Sequence, residues 1–270
     1  MPAARAEAQT DYYNTDRGRP VQVEDAYATE RHAFELKLAP VRVEWMDGAP
    51  SWGIEPEIAY GLLPRTHLEI GVPLALERVE GGSRRIGMAG LEVSFMHNLN
   101  AETRTVPALG LRVDVLAPVG DYAPDWAYTT FTGMLTRTFP SLRVHLNGQY
   151  TLGSEPTVVA SRPVLGPGQF EERAPNVEEL SRWLAGIAVD KAFPLRSLLL
   201  TAEVLARQPI VASDEVALVA GAGLRWQASP TIALDLGFGR RVNGSAGPWY
   251  ATFGTAYAFG LSSLMPGDAP

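Results

Sequence analysis

Cysteine is absent from this chain of 270 residues. That excludes disulfide scaffolds, thiolate zinc sites, iron–sulfur clusters and cysteine nucleophiles. Lysine is nearly absent too, since only Lys37 and Lys191 carry an ammonium. There is no basic excess: 23 Lys and Arg stand against 30 Asp and Glu, for a formal charge of −7. A nucleic-acid binder would show a basic patch or stripe, so no nucleic-acid partner is expected. No apolar run reaches the ~18–20 residues of a membrane-spanning helix. The longest candidate, 197–205, is interrupted by Glu203. Met1–Thr10 lacks the apolar core of a signal peptide. Ala6-Glu7-Ala8 before Gln9 has the small-x-small look of a cleavage remnant, which reads as a mature or re-initiated form of an exported protein.

What is present is a period of two. In Thr66–Glu77, Leu68, Ile70, Val72, Leu74 and Leu76 share one face, opposite His67, Glu69, Gly71 and Ala75. Successive side chains of a strand point to opposite faces, so this is strand periodicity, where a helix would repeat every 3.6. Ala108–Ala117, Leu142–Leu152 and Ile232–Arg241 repeat the pattern. About 12 such segments follow one another: 31–45, 51–63, 66–79, 85–99, 105–119, 126–139, 142–154, 180–193, 197–208, 215–228, 231–242 and 248–260. Most exceed the usual soluble strand of about 5–6 residues and match the ~9–11 that a tilted strand needs to cross a bilayer. In the first segment Phe34, Leu36 and Leu38 share one face and Val41, Val43 and Trp45 the other, so a bulge is expected at Pro40.

Short links at 64–65, 140–141, 194–196 and 230, with one longer short-side link around Asn98–Thr105, alternate with longer polar ones at 46–50, 80–84, 120–125, 155–179, 209–214 and 243–247. Outer-membrane barrels have this asymmetry, with tight periplasmic turns and longer extracellular loops. Aromatic side chains gather where the strands end. Trp45, Trp52, Trp126, Trp183 and Trp249 lie towards the long links, and Trp226, Tyr257 and Phe259 towards the short ones. They are expected to form two membrane girdles. The polar face carries Glu35, Lys37, Glu55, Glu57, Glu69, Glu92, Arg112, Asp114, Arg143, His145, Asp190, Glu203, Arg225, Asp235 and Arg241. Mixed acids and arginines suit a crowded lumen in which they pair across the bore, because an unpaired buried charge is costly.

The expected fold is therefore all-β: a transmembrane antiparallel up-and-down β-barrel of about 12 strands in the bacterial outer membrane. Residues 1–30 are expected to be a periplasmic N-terminal segment, 31–260 the barrel and 261–270 a C-terminal tail.

Two resemblances sharpen this. Thr252-Phe253-Gly254-Thr255-Ala256-Tyr257-Ala258-Phe259 resembles the C-terminal β-signal of bacterial outer-membrane proteins, although Gly260–Pro270 follow it. Thr15-Asp16-Arg17, the run Glu55–Leu62, the run Thr66–Leu74, and Gly223-Leu224-Arg225-Trp226 through Gly237 resemble the MetA-pathway phenol-degradation transporter family. That resemblance covers most of residues 15–260. It implies uptake of aromatic or other apolar compounds, and it brings no catalytic residues with it.

Chemistry beyond transport has little support. His32, His67, His97 and His145 show no metal-ligand spacing, so no metal and no cofactor are expected. His97 shares the apolar phase of Leu91, Val93 and Phe95, the position a lipid hydrolase would need, but no nucleophile motif accompanies it. The glycine pairs at 221/223 and 237/239 lie inside strands with no following helix, which excludes a dinucleotide site. The acidic, proline-rich link 155–179 suits a surface loop or a lid. The expected function is passive, a channel or transporter for small molecules, hydrophobic or aromatic ones among them, and not an enzyme. The alternatives are a non-conducting structural barrel and, third, an outer-membrane lipid hydrolase. Expected partners are outer-membrane lipid and lipopolysaccharide, the barrel-assembly machinery and a small-molecule solute.

Overall fold

A closed antiparallel barrel of twelve staves forms in the computed structural model, which describes residues 13–46, 49–78, 84–154, 180–210, 216–243 and 249–261. The strands are β1 (Ala33–Met46), β2 (Ala49–Leu63), β3 (Thr66–Gly71), β4 (Leu74–Arg78), β5 (Arg84–Met88), β6 (Leu91–Asn100) and β7 (Ala108–Ala117). They continue as β8 (Tyr128–Thr138), β9 (Arg143–Leu152), β10 (Ser181–Phe193), β11 (Leu198–Pro209), β12 (Ala217–Ser229), β13 (Ile232–Arg241) and β14 (Trp249–Gly260). β3 with β4 is one stave, and β5 with β6 another, so fourteen strands make twelve staves. β2 pairs with β3 from Glu57 to Leu63 and with β4 from Trp52 to Ile54. The break falls at Val72-Pro73, where proline has no N–H to give to a ladder. Closure comes from β1, which pairs with both β14 and β2.

The strand ends lie within three residues of the expected spans. The expected bulge is present. From Lys37 to Val41 β1 advances four residues while β14 goes from Ala256 to Phe253, three residues. The extra residue turns the alternation over, so Lys37 and Arg42 both face the lumen although one is odd and the other even.

The alternation is inside out relative to a soluble protein. On β13, Leu236 and Phe238 are 50% and 56% exposed, whereas Asp235 between strands of the same wall is 5% exposed. On β11, Leu200 and Val204 face out while Thr201 and Glu203 are buried. An apolar outer band around a polar bore is stable only if hydrocarbon replaces water outside. The barrel is thus a transmembrane one of the outer-membrane type. At the short-turn end Phe34 stacks between Tyr60 at 4.5 Å and Phe259 at 5.3 Å.

One expectation is corrected. The stretch 1–30 was expected in the periplasm, but residues 13–30 lie inside the barrel. The residues before 13, the link 155–179 and the tail 262–270 lie outside the described residues.

Candidate functional site: a bore filled by the N-terminal segment

Residues 13–32 enter the lumen at the short-turn end and circle its inner wall. His32 donates its N–H to the Gly61 carbonyl at 2.7 Å, beside the first tight turn. Upstream, the backbone N–H of Thr29 donates to His67 Nδ1 at 3.0 Å, and that of Ala26 to Thr136 Oγ1 at 3.0 Å. Asn98 returns a bond to the Ala26 carbonyl at 2.7 Å. Asn147 meets Glu24 twice, accepting from its N–H at 2.8 Å and donating to its carbonyl at 2.9 Å. The N–H groups of Gln22 and Val23 both donate to Glu203 Oε2 at 2.9 Å. Thr252 donates to the Pro20 carbonyl at 3.2 Å. The segment has no regular structure of its own, so the wall must supply partners for its buried backbone groups, and polar lumen side chains do so.

Charged groups fix its far end. The chain reverses at Gly18, whose φ of 78° is the left-handed conformation that glycine adopts without strain. Arg17 then reaches Asp114 Oδ2 at 3.1 Å and forms a short ion pair with Glu92. Arg19 reaches Asp235 at 3.4 Å. Asp16 receives Arg225 at 3.0 Å, Lys37 at 3.2 Å and Arg19 at 2.6 Å. Tyr13 brings the chain back to the short-turn end, where its carbonyl meets Arg143. The inserted segment is thus a loop with both ends at the rim of tight turns.

Glycines make room for it. A Cβ on Gly237 would fall inside the van der Waals shell of the Pro20 carbonyl oxygen. The space that this strand glycine leaves in the lumen is filled by the chain itself.

The wall charges pair as their types require. Lys37 Nζ lies 2.6 Å from Glu69 and 3.4 Å from Glu57. Arg112 holds Asp114 at 2.6 Å, Glu69 at 2.8 Å and the segment's Glu24 at 3.3 Å. Arg225 reaches Glu35 at 3.3 Å and Asp235 at 3.7 Å. Nearer the short turns, Asp190 joins Arg143 at 2.7 Å and His145 at 2.9 Å. Glu55 lines the space above the segment, and Arg241 bonds Asn243 at the long-link end of β13. All fifteen residues named for the lumen therefore lie on the inner wall.

The loop's own acids respond to this setting. Burial disfavours charge on Asp16, but Lys37, Arg19 and Arg225 hold it well below the ordinary carboxylate range. Burial pushes Glu24 up to about 7, against the pull of Arg112 and Arg17. It pushes Asp25 up to about 6, against Arg143 and His145.

Above the segment a cavity of about 110 Å³ is lined by Arg17, Arg42, Glu55, Glu57, Glu92 and Asp114, among other residues. Arg42 stacks on Tyr250, 4.0 Å from the ring centre, and pairs with Glu44 at 2.5 Å.

Of the girdle residues, Trp45, Trp126, Trp226, Trp249 and Tyr257 are exposed, while Trp52, Trp183 and Phe259 are partly covered. Trp45 and Trp249 are cross-strand partners. His97 Nδ1 bonds Thr66 Oγ1 at 2.8 Å, and among the described residues neither a serine hydroxyl nor a carboxylate bonds it. Sequence reasoning missed Asp16, Arg17, Arg19, Glu24 and Asp25, together with their neutral wall partners Asn98, Thr136 and Asn147.

No family model and no curated protein matches the sequence. Solved structures do. An outer membrane channel from Pseudomonas putida F1 superposes with a TM-score of 0.57 at 13% identity, covering 91% of this chain and 100% of the other. The KdgM porin superposes with a TM-score of 0.51 at 12% identity, covering 84% of this chain and 99% of the other. At these identities the likeness is one of fold: this chain is an outer-membrane β-barrel with the architecture that those channels share.

Proposed function

We propose that the protein is a passive outer-membrane channel for small solutes, closed at rest by residues 13–32. The observation that carries this reading is the way the segment is held. It crosses the bore through side-chain hydrogen bonds and ion pairs to many staves, and among the described residues its backbone pairs with a wall strand only at the rim, where Arg31 bridges Gly61. A barrel of twelve staves is wider than the ~8-stranded barrels that side chains alone can fill. Here the bore is instead filled by a loop that can leave without breaking the ladder. The fold shared with two solved channels supports the same reading.

Hydrophobic and aromatic solutes, which the MetA-pathway resemblance implies, are kept within the proposal. The polar bore favours compounds that carry at least one polar or charged group, because an apolar molecule gains nothing from displacing water there. Outer-membrane lipid and lipopolysaccharide around the wall, and the barrel-assembly machinery acting on β14, are the proposed partners.

The test is planar-bilayer recording of the full-length protein. The expected trace is closed most of the time with brief openings, and Arg17→Ala raises the open fraction severalfold by removing a buried ion pair. Silence of both proteins, with folding shown by a heat-dependent gel shift, would favour the structural-barrel alternative.

A further inference from the structure

We infer that the open bore selects cationic solutes, guanidinium and ammonium compounds in particular, and that Glu92 and Glu203 receive them. This rests on the channel reading. The argument is an asymmetry in what each wall charge keeps when the segment leaves. Lys37 keeps Glu57 and Glu69, Arg112 keeps Glu69 and Asp114, and Arg225 keeps Glu35 and Asp235. Each of these cations therefore stays neutralised by carboxylates of the wall itself.

The acids are not treated alike. The cation on Glu92 is Arg17 of the segment, and its other described partner is the Ser94 hydroxyl at 3.3 Å. Glu203 Oε2 is held by two N–H groups of the segment, and Glu203 otherwise has the neutral Tyr250 hydroxyl at 3.3 Å. Withdrawal takes the ion pair from Glu92 and both N–H donors from Glu203, leaving them the Ser94 and Tyr250 hydroxyls and the more distant wall cations Arg112 and Arg42. The two carboxylates lie on the fourth and ninth of twelve staves, so they face each other across the bore.

The resident loop thus shows what the wall accepts. It offers a guanidinium to Glu92 and Asp114 together and paired N–H donors to Glu203. A carboxylate stripped of its donors in a narrow bore attracts the next cation to arrive, and a ring of such groups sets cation selectivity. A small guanidinium compound can take the place of the Arg17 head, which bonds Glu92 through Nη2 and Asp114 through Nη1.

The experiment measures reversal potentials of the full-length protein in a KCl gradient, then adds methylguanidinium chloride on the long-loop side. The expected result is a potassium-over-chloride permeability ratio above about 3, falling at least about twofold in Glu92→Gln. Methylguanidinium is expected to reduce potassium current in the wild type and less so in Glu92→Gln. Glu203→Gln, on the opposite wall, serves as the second variant. If neither variant folds, the wild-type ratio and its block by methylguanidinium decide the matter. A ratio at or below one, no block, or longer openings in Glu92→Gln at an unchanged ratio would overturn the inference while the channel stands. Complete silence in a folded barrel would remove the channel reading, and the inference with it.

Discussion

The hydroxyl of Thr252 on the last strand donates a hydrogen bond to the carbonyl of Pro20, ahead of the first strand, at 3.2 Å. The same strand closes the barrel against β1 and carries the run that resembles the assembly signal. Seating of the N-terminal loop and closure of the wall are therefore read at one place. The five consequences below separate the loop's contribution from the wall's.

Asp16 gathers Lys37, Arg19 and Arg225 around one carboxylate. In Asp16→Asn, buried cations lose their shared partner, which costs the seated loop about 3 kcal/mol. Hydrogen exchange checks this: the amides of Gln22, Val23 and Ala26 lose protection, while those in the middle of β11 do not.

Gly237→Val acts by volume rather than charge. A side chain at this position meets the Pro20 carbonyl oxygen. The loop is displaced, and the open fraction in bilayer recordings rises, with the outward face of β13 unchanged. Equal open fractions in variant and wild type would mean that the loop does not approach this wall.

Leu236, on the outward face of β13, tests the membrane band. It is 50% exposed and near the middle of its strand. Leu236→Arg is expected to lower barrel stability by about 2–4 kcal/mol in reversible unfolding from lipid vesicles. Unchanged stability would place water, not hydrocarbon, outside this strand.

The acids of the loop give a pH dependence whose sign follows from their shifts. Glu24 and Asp25 are raised in the seated loop, to about 7 and about 6. The seated state then binds protons more tightly than the withdrawn one. Their contribution to seating is full below the ordinary carboxylate range and is lost as pH rises through about 6 to 7. Asp16 is lowered, so its contribution is present above the ordinary aspartate value and is lost on acidification below it. The open fraction is expected to rise between pH 5 and pH 8. Recordings at those two values check it, and a constant or falling open fraction would contradict the assignment.

Much of the barrel is legible in the sequence because its rule is local. The alternation of His67, Glu69 and Gly71 with Leu68 and Ile70 reports two environments, and each residue reports it alone. The bulge is legible for the same reason, as a change of phase around Pro40. Even the choice of inside and outside follows from residue type, since Glu, Arg and Gly share one face. The inserted loop is not legible in this way. Residues 13–32 have no period, and a polar segment ahead of a first strand looks the same in the periplasm as in a polar bore. Its signs are distributed over the wall: lumen glycines such as Gly237, and an acid, Glu92, whose cation lies 75 residues upstream. They become readable only when the staves are laid side by side.

In the proposed channel, residues 13–32 close the bore and must leave it for passage. Val23 and Gly186 are adjacent, and a Cβ on Gly186 would lie 2.6 Å from Val23 Cγ2. The chain has no cysteine of its own, so Val23→Cys with Gly186→Cys gives a single disulfide of workable reach. The measurement is the bilayer current of this variant, oxidised and then reduced in the same membrane. No openings are expected when the variant is oxidised, and openings return after reduction. Equal current in both states would contradict this closure.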